Sequence, residues 1–487
     1  MPGSIPGSPT THPKLVSTHA PSRSFRVLSP KNYYFRETIL DVFRGNEFER
    51  EADMALRATG VVGTVVLMVA PLVWLPGIAA GRDVGAIFSQ YLGMTALIAM
   101  AISQTIATRW PGVETLFGPL DQSYRLHKWL GLWALAASFL HDTIDAEIRG
   151  LGRETVLVDI AETAGEISLY GLLLLVVITV ATFIPYHLWK WTHRFIGVFF
   201  VMSAFHYLFI LKPFSNGDPL GLYMGVICLA GLVAYAYTSA PRRFRPSRFY
   251  RIDDLSAQGD ALAVTLSPEG RSLKHRAGQF AFISFPELGM TEPHPFTLSS
   301  APDGNGSLRM TIAPLGDYTI RLMSRLKPGA AARIEGPFGH FGAARGPQIW
   351  VAAGIGITPF AAMTGALGPD DGPVTLIYSV RERNNAAHLD ELEAAAKSKN
   401  LTLILRETSK DGRLQASDIL DIAGGLDGKT VSYCGPVALR DALWAGLKHN
   451  GLTARRFRYE IFEIRTGIGL KTLLNYLTSR KRPIQQT

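Results

Sequence analysis

The stretch "LHKWLGLWALAASFLHD" (residues 126–142) is largely apolar, yet it carries a histidine near each end. These residues, His127 and His141, are fourteen positions apart. An ionisable side chain is costly inside an apolar membrane span, so its presence there marks a functional position. The stretch therefore predicts a functional site within a membrane domain.

The same pattern recurs in "THRFIGVFFVMSAFHY" (residues 192–207), where His193 and His206 are thirteen positions apart. A helix turns about 100° per residue, so fourteen steps return a side chain to within about 40° of its first direction. Thirteen steps do not. We therefore predict that this second segment is tightened or kinked between its two histidines.

The whole chain has the composition of a membrane protein joined to a soluble part. Its 487 residues are 47% apolar and only 18% charged, which is lean in charge for a soluble protein. Its two cysteines, Cys228 and Cys434, are too few for a disulfide framework. Six segments are candidates for membrane spans, which need about 20 residues each. They are 58–81, 84–108, 121–142, 167–186, 190–211 and 219–241, of which the third and fifth are the least apolar.

The distribution of charge predicts the orientation. The formal net charge is +9, and the basic residues cluster beside apolar runs, as in "PRRFRPSRFYR" (241–251). This placement indicates a cytoplasmic membrane face and disfavours nucleic acid as a partner. Residues 142–166 hold seven acids and two arginines. With six spans, this charge distribution predicts a multi-pass protein with both termini in the cytoplasm; the plasma membrane is the expected location.

Alternating helices would place the histidines at two levels, His127 with His193 near the cytoplasm and His141 with His206 near the outer side. At about 1.5 Å per residue the two levels are roughly 20 Å apart. Haem iron accepts axial imidazoles, so two levels with two histidines each match two bis-histidine haems. The alternative is that they bond neighbouring helices or relay protons. The matched pairs favour haem.

Three small or flat residues bear on this haem hypothesis. Gly131 and Gly197 each lie four residues after an inner-level histidine, where the absence of a side chain would let a porphyrin approach the backbone. Phe200 lies seven residues after His193. It is either an aromatic between the haems or an ordinary core residue.

The segment from about 249 to 342 contains short β-type runs that predict a small antiparallel barrel: "ALAVTL", "FAFISF", "LRMTIA" and "ARIEG". Within it, "HPFTLSSAP" (294–302) offers an aromatic and a hydroxyl to a flavin ring. "APLGDYTIRLMSRL" opens a helix with Thr319 in its first turn, suited to a pyrophosphate. Any hairpin and helix cap can share these features, so each signal alone is weak.

A second block has the pattern of a nucleotide-binding sheet. "QIWVAAGIGITPF" is a strand followed by a turn with Gly354 and Gly356, which would let the backbone approach phosphates. Arg381 and Arg383 follow the strand "VTLIYSV"; they suit the 2′-phosphate of NADPH or form a solvated charge run. Cys434 lies at the carboxyl end of the strand in "VSYCGP", either beside a ligand or as a small buried residue.

This ordered set resembles the NADPH oxidase/ferric reductase family, in which a six-helix, two-haem transmembrane domain is fused to a ferredoxin–NADP reductase-like module. The resemblance covers about residues 55–465 and implies that the four histidines ligate haem iron. The implied fold is a membrane α-helical bundle, then a cytoplasmic β-barrel FAD domain, then an α/β NADPH-binding domain. The predicted parts are an N-terminal cytoplasmic segment (1–54), the haem domain (55–241), the FAD domain (242–345), the NADPH domain (346–465) and a C-terminal tail (466–487).

The resemblance also assigns cofactor-binding residues. Soluble relatives usually carry arginine at the position of His294. In "YEIFEI", Phe462 takes the place of the family's terminal aromatic residue, which covers the flavin until nicotinamide displaces it. Here 25 more residues follow Phe462, a departure from the family's pattern. Cys434 and Phe462 are the residues expected at the reacting rings. The FAD segments are "HPFT" (His294, Pro295, Phe296, Thr297) and "LGDYT" (Gly316, Thr319); the NADPH segments are "GPFG" (Gly336, Pro337, Gly339), "GIGITP" (Gly354, Gly356, Thr358, Pro359), Arg381, Arg383 and "YCGP" (Cys434, Gly435).

The resemblance implies electron transfer from cytoplasmic NADPH through FAD and two haem b groups to an outer acceptor. Oxygen, giving superoxide, is the first expectation. A ferric-chelate reductase or an electron relay to a partner protein are the alternatives. Membrane lipid and the small-molecule acceptor are the expected partners, and the sequence does not indicate an accessory protein.

Overall fold

A computed structural model describes residues 56–144, 151, 153, 155–180, 184, 186–241, 244–368 and 371–460. The predicted N-terminal segment, the C-terminal tail and Phe462 lie outside the described residues. All described residues belong to one compact unit, Arg50–Thr487. The membrane part and the soluble part therefore belong to the same compact unit.

The membrane part is helical. Its central helix is α3, which begins after Asp83; the carboxylate of Asp83 accepts a hydrogen bond from the Ala86 N–H and so caps the helix. Helix α3 packs against α5, α8 and α9, and α6 packs against α5 and α8. The helices are α1 (Ala58–Val69), α2 (Leu75–Ala79), α3 (Val84–Ala107), α4 (Pro111–Phe117), α5 (Leu120–Thr143), α6 (Val156–Val180), α7 (Tyr186–His193), α8 (Ile196–Phe209) and α9 (Pro219–Ser239).

Four helical segments among the described residues are long and apolar enough to cross a membrane: Ala58–Ala79, Val84–Ala107, Val156–Thr179 and Pro219–Ser239. The third predicted span is the 24-residue helix α5, which falls outside this set. The fifth predicted span is divided between α7 and α8. The protein is thus a multi-pass membrane protein, and the count of six spans stays a prediction.

The predicted start of the fourth span, residue 167, is wrong: helix α6 begins at Val156. Its first turns carry Asp159, Glu162 and Glu166, three and four positions apart. That spacing keeps the carboxylates near one face of the helix. Hydropathy alone assigned these acids to a loop because it averages over all faces.

The predicted interruption of the fifth span is confirmed. Helix α7 ends at His193 and α8 begins at Ile196. The Phe195 N–H donates to the Thr192 carbonyl at 3.0 Å, and the Val198 N–H donates to the Phe195 carbonyl at 2.9 Å. Both bonds are of the tighter i to i+3 kind found in 3₁₀ turns. The extra twist changes the phase between the two histidines.

The part that follows the helices is a six-stranded antiparallel barrel with strand order β4-β3-β6-β1-β2-β5. A bridge between Leu298 and Met310 joins β4 to β5 and closes it. Closure removes the unpaired sheet edges, and the predicted barrel is confirmed. The elements are β1 (Arg248–Gln258), β2 (Ala261–Pro268), β3 (Phe280–Phe285), β4 (Met290–Thr297), β5 (Leu308–Ile312), α10 (Asp317–Arg325) and β6 (Ala331–Phe338).

The last part is a parallel sheet with strand order β11-β10-β7-β8-β9. The chain reverses its direction of travel across the sheet between β7 and β10, the point where such sheets bind ligands at the carboxyl ends of their strands. The elements are β7 (Gln348–Ala353), α11 (Thr358–Ala366), β8 (Val374–Val380), α12 (Leu389–Ser398), β9 (Leu401–Glu407), α13 (Thr408–Asp411), α14 (Ala416–Ala423), β10 (Thr430–Cys434), α15 (Val437–His449) and β11 (Phe457–Tyr459).

Candidate functional site

The inner pair of histidines is brought together between α5 and α7. The ring centroids of His127 and His193 are 6.1 Å apart, with the rings inclined at 60°. Nδ1 of His127 lies 3.0 Å from the Ser103 carbonyl oxygen, and Nδ1 of His193 lies 3.2 Å from the Thr179 hydroxyl. These contacts occupy Nδ1 and leave Nε2 as the nitrogen that can bind a metal.

The outer pair has the same arrangement between α5 and α8. The ring centroids of His141 and His206 are 6.5 Å apart, with the rings inclined at 70°. Nδ1 of His141 lies 2.9 Å from the Ser89 carbonyl oxygen, and Nδ1 of His206 lies 2.9 Å from the Ala161 carbonyl oxygen. In both pairs, therefore, protein groups orient the rings through the same nitrogen.

The ring separations fit iron between the imidazoles. A metal–nitrogen bond of about 2.0 Å on each side, plus half of each ring, gives a centroid separation of roughly 6.3 Å. Two imidazoles hydrogen-bonded to each other would have centroids at roughly 5 Å. The observed 6.1 Å and 6.5 Å match the first arrangement.

Glycines clear the space around the outer histidines. A Cβ on Gly93 would lie 3.2 Å from the His141 ring, and a Cβ on Gly165 would lie 2.6 Å from Nδ1 of His206. The sequence did not single out either glycine, because each contacts a residue more than 40 positions away. Around the Cβ position of Gly131 the space is open, as predicted.

The prediction for Gly197 is wrong. A Cβ on this residue would lie 2.0 Å from the ring of Tyr235. The space beside Gly197 is therefore filled by a side chain of α9 and is closed to a porphyrin. Phe200 is fully buried in the helical core, which agrees with its interpretation as a core aromatic.

A cavity of about 360 Å³ lies beside the outer pair. His141 and His206 line it, together with four charged side chains. These charged residues are Asp142, Glu162, Glu166 and Lys212. Gly93 and Gly165 line it as well, so this cavity is the space in which a haem held by the outer pair would lie.

The two segments predicted to bind FAD lie next to each other. The rings of His294 and Tyr318 stack with centroids 3.4 Å apart and an angle of 13°, which joins β4 to α10. The Thr319 hydroxyl accepts a hydrogen bond from the Gly316 N–H at 3.1 Å and closes the turn before α10. Thr297 is buried at the end of β4. The remaining residues of this group are Pro295 and Phe296 on β4 and Gly336, Pro337 and Gly339 on or just after β6.

The two glycine turns predicted to bind the nucleotide pack against each other at the reversal point of the sheet. A Cβ on Gly356 would lie 2.2 Å from the Cys434 carbonyl oxygen. A Cβ on Gly435 would lie 2.8 Å from the Cβ of Ala353. Thr358 and Pro359 begin α11 directly after the first turn. The structure thus brings the GIGITP and YCGP segments together.

Cys434 is buried and its thiol is free. Burial, with the Glu460 carboxyl nearby, raises the pKa of the Cys434 thiol well above its ordinary value. A thiol that stays protonated is a poor nucleophile. Cys434 can therefore contribute to the site by packing and position.

The two arginines after β8 differ in their surroundings. The Arg383 guanidinium pairs with the Glu393 carboxylate of α12. Arg381 is exposed, and its carbonyl oxygen accepts a hydrogen bond from the Ser409 hydroxyl at 2.7 Å. Arg381 is therefore the arginine with the better access to a nucleotide phosphate.

Two acids were not predicted from the sequence: Glu460, which is buried, and Glu114, which is half-buried. Glu460 lies directly after β11, and burial raises the pKa of its carboxyl well above the ordinary value. Its Oε1 would lie 3.1 Å from a Cβ on Gly339. Glu114 approaches the same glycine: its Oε1 accepts hydrogen bonds from the Gly339 N–H at 3.0 Å and the Leu120 N–H at 2.9 Å.

The histidine-bearing helices attach directly to the flavin barrel. Leu120 is the first residue of α5, which carries both His127 and His141, so the Glu114 contact ties that helix to the GPFG segment. In α7, the Lys190 ammonium lies 2.5 Å from the Glu292 carboxylate on β4. Each inner histidine therefore lies on a helix held against the barrel.

An arginine and an aromatic cluster complete this junction. The Arg109 guanidinium lies 3.7 Å from the Glu335 carboxylate and 4.1 Å from the ring centroid of Phe282. Leu120 of α5 packs among Phe280, Phe282 and Phe338 of the barrel. The junction thus combines apolar packing with partly buried ion pairs.

Comparison with known proteins finds two family matches. The family described as "Ferric reductase like transmembrane component" matches residues 92–204, which include His127, His141 and His193 and end two residues before His206. The family described as "FAD-binding domain" matches residues 251–341. The first match covers most of the helical part, and the second covers the barrel.

Individual relatives agree with these matches. Ferric reduction oxidase 7, chloroplastic, of Arabidopsis thaliana is 27% identical over 56% of this chain and 40% of its own. Dual oxidase 2 of Rattus norvegicus is 36% identical over 19% of this chain and 7% of its own. The heavy chain of a superoxide-generating NADPH oxidase of Dictyostelium discoideum is 29% identical over 36% of each chain. The chain spans less than half the length of these relatives.

Proposed function

We propose that this chain, which is similar to proteins of the NADPH oxidase/ferric reductase family, is a transmembrane oxidoreductase. It takes electrons from NADPH at a flavin on the cytoplasmic side and delivers them to an acceptor on the outer side. The observation that carries the proposal is that four histidines form two facing pairs, with ring centroids 6.1 Å apart in the inner pair and 6.5 Å apart in the outer pair.

His127 with His193 and His141 with His206 would each hold one haem b. Haem held by these imidazoles would supply one-electron redox chemistry. The protein contributes the orientation of the rings. The carbonyls of Ser103, Ser89 and Ala161 hold three of the four Nδ1 atoms, which fixes the nitrogen presented to the metal.

The soluble part would hold the other two cofactors. The HPFT strand and the start of α10 bind FAD, and the turns at Gly356 and Cys434 bind NADPH where the sheet reverses. Flavin accepts two electrons from a nicotinamide and can release them singly, which suits one-electron partners. The contacts of Glu114 and Lys190 hold the barrel against α5 and α7.

We take oxygen, reduced to superoxide, as the acceptor, because HPFT and the histidine spacings look closest to the oxidases. A second candidate is a ferric chelate. The observation in its favour is that three acids, Asp142, Glu162 and Glu166, outnumber the single Lys212 in the lining of the outer cavity, since a net acidic cleft concentrates cations such as ferric iron.

Purified protein loaded with haem and FAD distinguishes these acceptors. With NADPH in air, we expect reduction of cytochrome c that superoxide dismutase suppresses. Dismutase-insensitive reduction of a ferric chelate would instead identify a ferric reductase. Haem that NADPH reduces, with neither product formed, would indicate a relay to a partner protein.

The expected topology places both termini on the cytoplasmic side of the plasma membrane. It rests on the basic segment that follows α9 and on the acids around Asp142 and Glu162 at the opposite ends of the helices. This orientation puts the flavin barrel on the side where NADPH is available.

Arg381→Ala is expected to raise the KM for NADPH about 10-fold or more, while the KM for NADH changes little. The reason is the loss of a charge-assisted contact to the 2′-phosphate, a group that NADH lacks. Steady-state flavin reduction with each nucleotide measures the effect. Arg413→Ala, at another exposed arginine of the same domain, is the matched control. An equal change for both nucleotides would contradict the assignment.

Glu114→Ala is expected to slow electron delivery across the membrane and leave NADPH-driven reduction of ferricyanide by the flavin intact. The substitution leaves the Gly339 N–H and the Leu120 N–H without their acceptor and loosens the attachment of α5 to the barrel. Glu114→Gln keeps an acceptor oxygen and is the matched control. The role of Glu114 in this attachment is refuted if the alanine and glutamine variants give the same ratio of cytochrome c reduction to ferricyanide reduction.

A further inference from the structure

The NADPH-binding domain meets the flavin barrel through a group of five polar and charged side chains. This His388 cluster consists of Ser299, Arg309 and Thr311 of the barrel and His388 and Glu391 of the NADPH-binding domain. The side chains of Ser299, Thr311 and His388 are buried. A buried polar group stabilises a structure only when it finds a hydrogen-bonding or charged partner. The contacts of these side chains therefore determine how strongly the cluster joins the two domains.

Both ring nitrogens of His388 face polar groups of the cluster. Nε2 lies 2.7 Å from the Thr311 hydroxyl, which in turn lies 2.9 Å from the Ser299 hydroxyl. Nδ1 lies 3.3 Å from the Glu391 carboxylate but makes no hydrogen bond among the described residues, and that carboxylate pairs with the Arg309 guanidinium at 2.9 Å. The imidazole therefore bridges the two domains.

The backbone of His388 is held as tightly as its ring. Its φ of 60° lies in the left-handed region, which non-glycine residues adopt rarely and which histidine adopts more often than most. Such a conformation persists where the surroundings determine it. Here the His388 N–H donates to the side-chain oxygen of Gln258, on β1 of the barrel, at 3.0 Å.

The cluster lies between the two cofactor segments. Ser299 is two residues beyond Thr297, the last residue of the flavin-binding strand β4. His388 directly precedes α12. On the same helix, the Glu393 carboxylate pairs with the guanidinium of Arg383, which lies in the turn after β8. The cluster thus connects the turn after β8 with the end of β4.

We propose that His388 is a positioning residue that fixes the NADPH-binding domain on the flavin barrel and so sets the approach of nicotinamide to flavin. The inference rests on the proposed function. In the step it serves, NADPH gives up a hydride and becomes NADP⁺, and the flavin gains that hydride. A misplacement of about 1 Å can slow such a step on the order of 100-fold, so a rigid domain contact has a direct effect on rate.

The test compares His388→Asn, Thr311→Val and the double variant in full-length, FAD-loaded protein. Asparagine tolerates the left-handed backbone, and it is too short to reach Thr311. His449→Asn, the same change at an exposed histidine of α15, is the control. Anaerobic stopped-flow absorbance gives the rate of flavin reduction at saturating NADPH and the Kd for NADPH.

We expect each single variant to lower the saturating rate on the order of 10- to 100-fold, with FAD content and the Kd for NADPH close to wild type. We expect the double variant to be little slower than either single one, because both remove the same bridge. Rates like those of the control, or losses that multiply in the double variant, overturn the proposal.

Amide hydrogen exchange separates this inference from the proposed function. Faster exchange at 297–311 and 386–392 in His388→Asn supports the bridge, and unchanged exchange overturns it. If the wild-type protein fails to reduce its flavin with NADPH, the proposed function is wrong, and the exchange data still decide whether His388 holds the domains together.

Discussion

His141→Leu is expected to abolish electron transfer to the outer acceptor while NADPH still reduces the flavin. The His141 and His206 rings, whose centroids are 6.5 Å apart, are the two proposed ligands of the outer haem iron. Leucine has no nitrogen that binds iron, so the variant retains only His206 as a ligand. Haem content should fall from about two groups per chain to about one. Pyridine haemochrome assay and dismutase-sensitive cytochrome c reduction measure the two effects.

His206→Leu should reproduce this result, because both histidines are needed for one six-coordinate iron. His449→Leu, at an exposed histidine of the soluble part, is the control and should retain full transfer. Undiminished haem content and transfer in both membrane variants would refute the outer haem.

Gly356→Ala is expected to give the largest loss on the soluble side. Its Cβ would lie 2.2 Å from the Cys434 carbonyl oxygen, so the two turns at the reversal point must separate. Overpacking of this kind costs about 1–3 kcal/mol, which corresponds to on the order of 10- to 100-fold in the efficiency of flavin reduction by NADPH.

The measurement is kcat/KM for NADPH with ferricyanide as acceptor, at matched FAD content. Gly304→Ala serves as the control, because a Cβ at that barrel-loop residue meets nothing within 4 Å. If both alanine variants have the same kcat/KM, the close approach of the two turns has no part in nucleotide binding.

Features set by short-range pattern were predictable from the sequence. The barrel, the strand-and-turn segments and the break between His193 and Ile196 follow from local periodicity, turn residues and helical phase. The boundary of α6 was misplaced because the acids at Asp159, Glu162 and Glu166 share one face, whereas hydropathy averages over the whole helix.

Contacts between distant residues were not predictable in the same way. Glu114 and Gly339 are 225 positions apart, and Thr311 and His388 are 77 apart. No local pattern marks either pair. The prediction for Gly197 failed for the same reason, because its neighbour Tyr235 comes from another helix.

The central claim is that paired imidazoles hold two six-coordinate haems between the flavin and the outer face. The most direct test is the anaerobic absorption and EPR spectrum of the purified protein before and after NADPH is added. We expect about two low-spin haems per chain, reduced by NADPH only when FAD is bound. Protein without haem, or high-spin haem with an open coordination position, would contradict this claim.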